Sequence, residues 1–276
     1  KTLSQQVNKR TTEAVDKFEK DGFQCVVLKG QGISLLYPDP LSRTPGDIDL
    51  WVMDDRKRVV DYVLARAPEE CVVYHNITYP LFEDVEMEVH FTPSWSNWYL
   101  YNRRLQRFFE KQGPALCNNK CTLPGCNREV AVPTRLFNAV FILHHIYRHL
   151  FGDGIGLRQV LDFYYVIKDG FDEHEKQYLV NTYKELGMYR FATAMMFVMN
   201  RVLGLQEDLL VVPMNESEGR YLLEEIMKAG NFGKYDTRIV HRREETKIEG
   251  FFRINKQVVR HLFHYPLEVI GSPMYR

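Results

Sequence analysis

Apolar positions in the first half of the chain alternate between two spacings. Leu3, Val7, Val15 and Phe18 recur at helical intervals with polar residues between them, which predicts an amphipathic helix ending near Asp21-Gly22. Residues 23–29 are short, apolar and β-branched between Gly22 and Gly30, and predict a buried strand. A brief helix over 32–37 is stopped by Pro38-Asp39-Pro40, and a polar loop over 41–46 leads into a second strand over 47–53. Residues 56–67 predict a helix. Residues 71–77 and 85–91 predict strands, antiparallel neighbours joined through 78–84.

After Pro133 the spacing is helical almost throughout. The stripes are Leu136, Val140, Leu143 and Tyr147, then Leu157, Leu161 and Tyr164, then Phe191, Met195, Val198 and Val202. A last stripe, Phe251, Ile254, Val258 and Leu262, precedes Pro266, and Gly152, Gly170, Gly187 and Gly204 stand where helices should end. The expected fold class is α+β, a small mixed β-sheet head (1–116) followed by an all-helical C-terminal domain (133–276). Residues 117–132 are expected as a connector, with a hairpin as the alternative.

Composition narrows the functional classes. The chain has 276 residues, 45% hydrophobic and 26% charged, which is ordinary for a globular protein. Lys+Arg and Asp+Glu are both 36, so there is no domain-wide basic field for nucleic acid. No apolar run approaches the ~20 residues of a bilayer span. The opening Lys-Thr-Leu-Ser-Gln-Gln is too polar for a signal-peptide core, and five cysteines is a low, odd count. The expectation is a cytoplasmic protein with no membrane partner. Cys117, Cys121 and Cys126 have the look of a zinc cluster but lack a matched second pair, so reduced loop cysteines are expected instead.

Chemistry concentrates in the head. Side chains alternate along a strand, so Asp47 and Asp49 share one face while Ile48 and Leu50 take the other. Two adjacent carboxylates repel and raise each other's pKa unless positive charge stands between them, and a divalent cation supplies it most directly. Glu86, Glu88 and His90 also share a face of their strand, and either acid can complete a three-carboxylate cradle. The glycine turn after Lys29 lets backbone N–H groups approach a phosphate chain.

Lys29-Gly30 at a strand end, Tyr37-Pro38, Arg43 four residues before Asp47-Ile48-Asp49, and Glu88-Val89-His90 together resemble the DNA polymerase β-like nucleotidyltransferase superfamily, most closely an uncharacterised bacterial branch. His144-His145, His149, Gly156-Leu157-Arg158-Gln159 and Asp162 extend the likeness into the helical half. The resemblance implies a Mg²⁺-dependent enzyme (Mn²⁺ an alternative) that binds an NTP such as ATP and transfers NMP to a hydroxyl of an unidentified acceptor. It implies two-metal chemistry in which Asp47 and Asp49 bridge both ions and Glu88 completes one of them. Lys29, Gly30, Gly32 and Arg43 would hold nucleotide phosphates, and His145, His149 and Arg158 would face the acceptor. The chain departs from the superfamily twice, with Gln31 where a serine usually follows the glycine and with Glu88 where the third acid is usually Asp. The alternative functions are a catalytically degenerate nucleotide- or metal-binding regulator and a helical interaction protein.

Overall fold

Strand alternation builds the first unit around one sheet. The computed structural model describes residues 2–152, 154–229 and 258–272. The chain divides into two compact units, residues 1–95 with 106–138 and residues 96–105 with 139–276. In the first, β1 (Cys25–Leu28), β2 (Ile48–Val52), β3 (Asn76–Thr78) and β4 (Met87–His90) form a sheet in the order β1-β2-β4-β3. β2 runs antiparallel to β1 and parallel to β4, and β3 pairs antiparallel with β4. The register places Asp49 opposite both Leu28 and Glu88, and Trp51 opposite His90.

That register sorts the sheet into two faces. Ile48, Leu50 and Val52 join Val27, Ile77, Met87 and Val89 in one apolar core, together with Val7, Val15 and Phe18 of α1 (Thr2–Lys20) and Val59 and Val63 of α3 (Arg56–Leu64). The side chains between them, Asp49, Glu88 and His90, are thereby turned away from the hydrocarbon. On that second face Trp51 packs on Phe109 and Phe137, ring centroids 6.2 and 6.4 Å away. Residues 117–132 take the alternative expectation: β5 (Lys120–Thr122) and β6 (Glu129–Ala131) form a hairpin whose Leu123, Val130 and Val132 enter the core.

Helix α4 (Tyr99–Leu116) has no counterpart among the sequence expectations. Its buried Leu105 and Phe109 are at i, i+4, but the apolar stripe is narrow and Gly113-Pro114 near its end reads as a break. A Cβ on Gly113 would stand 2.8 Å from the Trp51 ring, so glycine is what lets the helix lie close there.

The second unit is helical. It contains residues 139–150 of α5 (Arg135–Leu150), α6 (Leu157–Ile167), α7 (Glu173–Glu185), α8 (Tyr189–Leu203), α9 (Glu216–Ala229) and α10 (Pro266–Gly271). A capping box starts α7, with Asp172 accepting from the Glu175 N–H and Glu175 returning to the Asp172 N–H. The α8 helix ends on Gly204 at φ 71°, a left-handed cap. Helix α6 forms where expected but presents the other face. Leu157 and Leu161 are exposed, and Val160, Phe163, Val166 and Ile167 are buried. The helix carries two apolar stripes, and spacing alone does not rank them. Of the last expected stripe, Phe251 and Ile254 lie outside the described residues, and Val258 is buried. No described helix is long and apolar enough to cross a membrane.

Candidate active site

The strand ends of β1, β2 and β4 bring the chemistry together. Asp49, in the middle of the sheet and 3% exposed, has its Oδ1 2.6 Å from the Lys29 ammonium and 2.8 Å from His90 Nε2. The same Nε2 lies 3.2 Å from Glu88 Oε2, to which Asn76 Nδ2 donates at 2.6 Å. One ligand atom each from Asp49, Glu88 and His90 fall within 4.8 Å of one another, the one such group of His, Cys, Asp and Glu among the described residues. The three cysteines of the hairpin region form no such group.

Lys29 reaches Asp49 from an unusual backbone. Its φ of 48° and ψ of −126° belong to a region that glycine occupies readily, and no other described non-glycine residue has positive φ. Such a conformation costs of order 1–3 kcal/mol and persists where the surroundings over-determine it. It stands between β1 and α2 (Gly30–Ser34), so the chain turns sharply as the ammonium points at the carboxylates.

Electrostatics follow from this crowding. Burial pulls the Lys29 pKa down, but Asp49, then Asp47 and Glu88, overcome it and leave it raised. Burial likewise works against the Asp49 carboxylate, yet Lys29 and His90 hold it well below the ordinary range. His90, buried and disfavoured as a cation, is carried upward by its hydrogen bonds to Asp49 and Glu88. Asp47 is pushed up to about 6, first by the Asp49 charge and then by burial. Set against the Lys29 ammonium, the Asp47, Asp49 and Glu88 carboxylates leave two negative charges that His90 as a cation offsets only in part, the deficit a divalent cation fills.

The remaining expected residues divide. Arg43 is buried, and its Nη1 stands 3.5 Å from where a Cβ on Gly30 would be. A Cβ on Gly32 would meet Val132 at 3.4 Å, so Gly32 is a packing position as well. Glu86 is exposed before β4 and contributes its backbone carbonyl to Ile48, so Glu88 is the acid in the cluster. His145, His149 and Arg158 belong to the helical unit, where His145 and His149 approach Nε2 to Nε2 at 3.2 Å. Gln31 is 3% exposed with neither amide atom hydrogen-bonded, and it lines a small cavity with Ser4, Asn8 and Arg43.

A family model described as "Uncharacterised nucleotidyltransferase" matches residues 3–204, the greater part of the chain. The chain belongs to this family. Among solved structures it is similar to an antigenic nucleotidyltransferase-like protein from Paracoccidioides brasiliensis, at 17% identity and a TM-score of 0.45, over 78% of this chain and 96% of that one. No curated protein matches it. The matched span includes every strand of the sheet and all of Lys29, Asp47, Asp49, Glu88 and His90.

Sequence reasoning missed Asn76, because its role exists only through the pairing of β3 with β4, where it stands opposite His90. Its hydrogen bond fixes the Glu88 carboxylate. Asn76→Ala is expected to weaken divalent-cation binding about tenfold, the usual scale for the loss of a group that orients a ligand. Calorimetric titration with Mn²⁺ reads it, and unchanged affinity would show that Glu88 needs no such support.

Proposed function

We propose that this family member is a divalent-metal-dependent nucleotidyltransferase that moves NMP from an NTP to an acceptor hydroxyl, with Asp47, Asp49 and Glu88 as metal ligands. The observation that carries the reading is the convergence of Asp49, Glu88 and His90 donor atoms beside Asp47, with more carboxylate charge than Lys29 neutralises. A divalent ion bound there supplies Lewis acidity toward the acceptor hydroxyl and neutralises charge on the departing pyrophosphate. The donor set fits Mg²⁺ or Mn²⁺ in charge and in its carboxylate oxygens.

The chain's own groups do the rest. Lys29 holds Asp49 ionised and offers positive charge to the triphosphate. Arg43, beside Gly30, is placed to take phosphate oxygens through its guanidinium fork. Gly30 keeps a side chain out of the turn that the phosphates approach, and Gly32 lets that turn lie close against Val132. Positioning and charge neutralisation account for most of the rate in chemistry of this kind. His145, His149 and Arg158 are proposed as acceptor contacts.

Thermal stabilisation by NTP, measured with and without Mn²⁺, tests the metal-mediated part. The wild-type chain should show a Mn²⁺-dependent shift that an Asp47→Ala/Asp49→Ala double variant loses; a shift retained in the variant would refute it. Pyrophosphate release across a panel of hydroxyl acceptors tests turnover. Metal-dependent binding without release on any acceptor would assign the chain to the regulator class, in keeping with Gln31 at the serine position.

The raised Asp47 pKa adds a pH signature. A carboxyl whose folded pKa is about 6 against an ordinary 3.8 contributes stability that is complete below 3.8 and lost as pH rises through 6. Its partial exposure discounts this to about 2 kcal/mol. His90, with a raised pKa, loses its own contribution only above 6.5, outside that window. Metal-free protein should therefore lose melting temperature between about pH 4 and 6. Mn²⁺, which displaces the proton, should reverse the loss and bind more tightly as pH rises. Asp47→Asn should remove the early part of the loss and leave that of Glu268, which burial pushes up to about 7; a profile unchanged below pH 6 would place the titration elsewhere.

A further inference from the structure

The wider site offers nitrogen as well as oxygen. His90 follows Glu88 by two residues on β4, so both side chains leave the same face. The ring is fully buried and pinned edge-on against His75 at 5.1 Å between centroids, and His75 in turn packs on Trp95 at 4.2 Å. Nδ1 has no hydrogen-bond partner. All the directional chemistry of the imidazole is thus delivered through Nε2, and Nε2 faces Asp49 Oδ1 and Glu88 Oε2 at 2.8 and 3.2 Å. Donor atoms each about 2.1 Å from a common ion and at right angles to one another stand ~3 Å apart. The observed spacings match that edge length. They also match one N–H shared between two carboxylates, so geometry admits His90 either as a ligand or as a positioning residue.

Donor chemistry separates the two. Mg²⁺ takes hard oxygen ligands and sheds water reluctantly, whereas imidazole nitrogen is a good ligand for first-row transition ions. A site meant for Mg²⁺ alone gains from a buried imidazole at the ligand edge no more than a hydrogen bond to its carboxylates, which Lys29 and Asn76 already supply, and burying it among carboxylates costs desolvation. We propose that His90 Nε2 is itself a metal ligand, so that Asp49, Glu88 and His90 form a mixed nitrogen–oxygen centre that selects a divalent transition ion such as Mn²⁺ over Mg²⁺. This rests on reading the cluster as the metal centre of a nucleotidyltransferase.

Mn²⁺ bound to the full chain reports its ligands directly, because a coordinated imidazole ¹⁴N modulates the electron spin echo. The wild type should show that modulation, and growth on ¹⁵N-histidine should convert it to the ¹⁵N pattern. It should persist in His149→Ala, which disables the other close histidine pair, and vanish in His90→Asn. Mn²⁺ affinity should fall at least about tenfold in His90→Asn while Mg²⁺ affinity changes little. Should His90→Asn fail to fold, the isotope substitution together with persistence of the modulation in both His149→Ala and His75→Phe, His75 being the other histidine ring packed on His90, still decides the matter. Bound Mn²⁺ without nitrogen modulation in the wild type would overturn this inference alone and leave a carboxylate metal centre. No Mn²⁺ binding, with or without NTP, would overturn the proposed function with it.

Discussion

Asp49→Asn is expected to abolish the Mn²⁺-dependent stabilisation by NTP and to cut any pyrophosphate-releasing activity about 10³-fold, the equivalent of several kcal/mol of transition-state charge stabilisation. Asp49 is the one carboxylate that touches both Lys29 and His90. Amide substitution keeps its shape and an acceptor oxygen but removes the charge. Breaking a buried ion pair from one side costs about 3–5 kcal/mol. Here the loss is smaller, about 1–2 kcal/mol, because Lys29 retains Asp47 and Glu88 and because the main cause of Asp47's raised pKa disappears. Two readouts thus move independently: folding stability drops modestly in denaturant titrations, and metal-dependent nucleotide binding is lost. NMR titration should find the Asp47 carboxyl returned toward its ordinary range. A variant that keeps the full metal-dependent shift would remove Asp49 from the site.

Lys29 separates strain from charge. Lys29→Met keeps the unfavourable φ of 48° while deleting the ammonium, so Asp47, Asp49 and Glu88 face one another with only His90 between them. A loss of about 2–4 kcal/mol is expected in metal-free protein. Lys29→Gly deletes the same charge but relaxes the backbone, and should recover about 1–2 kcal/mol relative to Met. Mn²⁺ should stabilise both variants more than the wild type, since it then supplies the missing positive charge. Guanidinium denaturation with and without Mn²⁺ measures all six states. Equal stability of the Met and Gly variants would mean that the backbone at position 29 relaxes when the lysine is gone. A smaller Mn²⁺ effect in both would mean that Lys29 helps build the site rather than standing in for a cation.

How much of this was legible in the sequence depends on the range of each interaction. The glycine that ends α8 is a local signal, carried within one helical turn. The α4 helix was missed because its burial, at Leu105 and Phe109, is sparse in the sequence and Gly113-Pro114 mimics a stop, although Gly113 is there to admit Trp51. The exposed face of α6 was mistaken for the buried one because Leu157 and Leu161 are as apolar as Val160 and Phe163. Only the neighbours decide between two such stripes.

The sequence by itself determined that Glu88 and His90 leave their strand on a shared face, because side chains of a β-strand alternate whatever it pairs with, and it set Asp47 two residues before Asp49, although β2 begins only at Ile48. It also determined the Lys29-Gly30 turn and the family that the chain belongs to. The tertiary structure decided which faces meet. The parallel pairing of β2 with β4 at Asp49 and Glu88, the antiparallel placement of Asn76 and the strained turn that aims Lys29 all join residues 12 to 41 positions apart. Hydrogen-bond register and charge balance at that range depend on the whole sheet being folded, and no local pattern of residues encodes them.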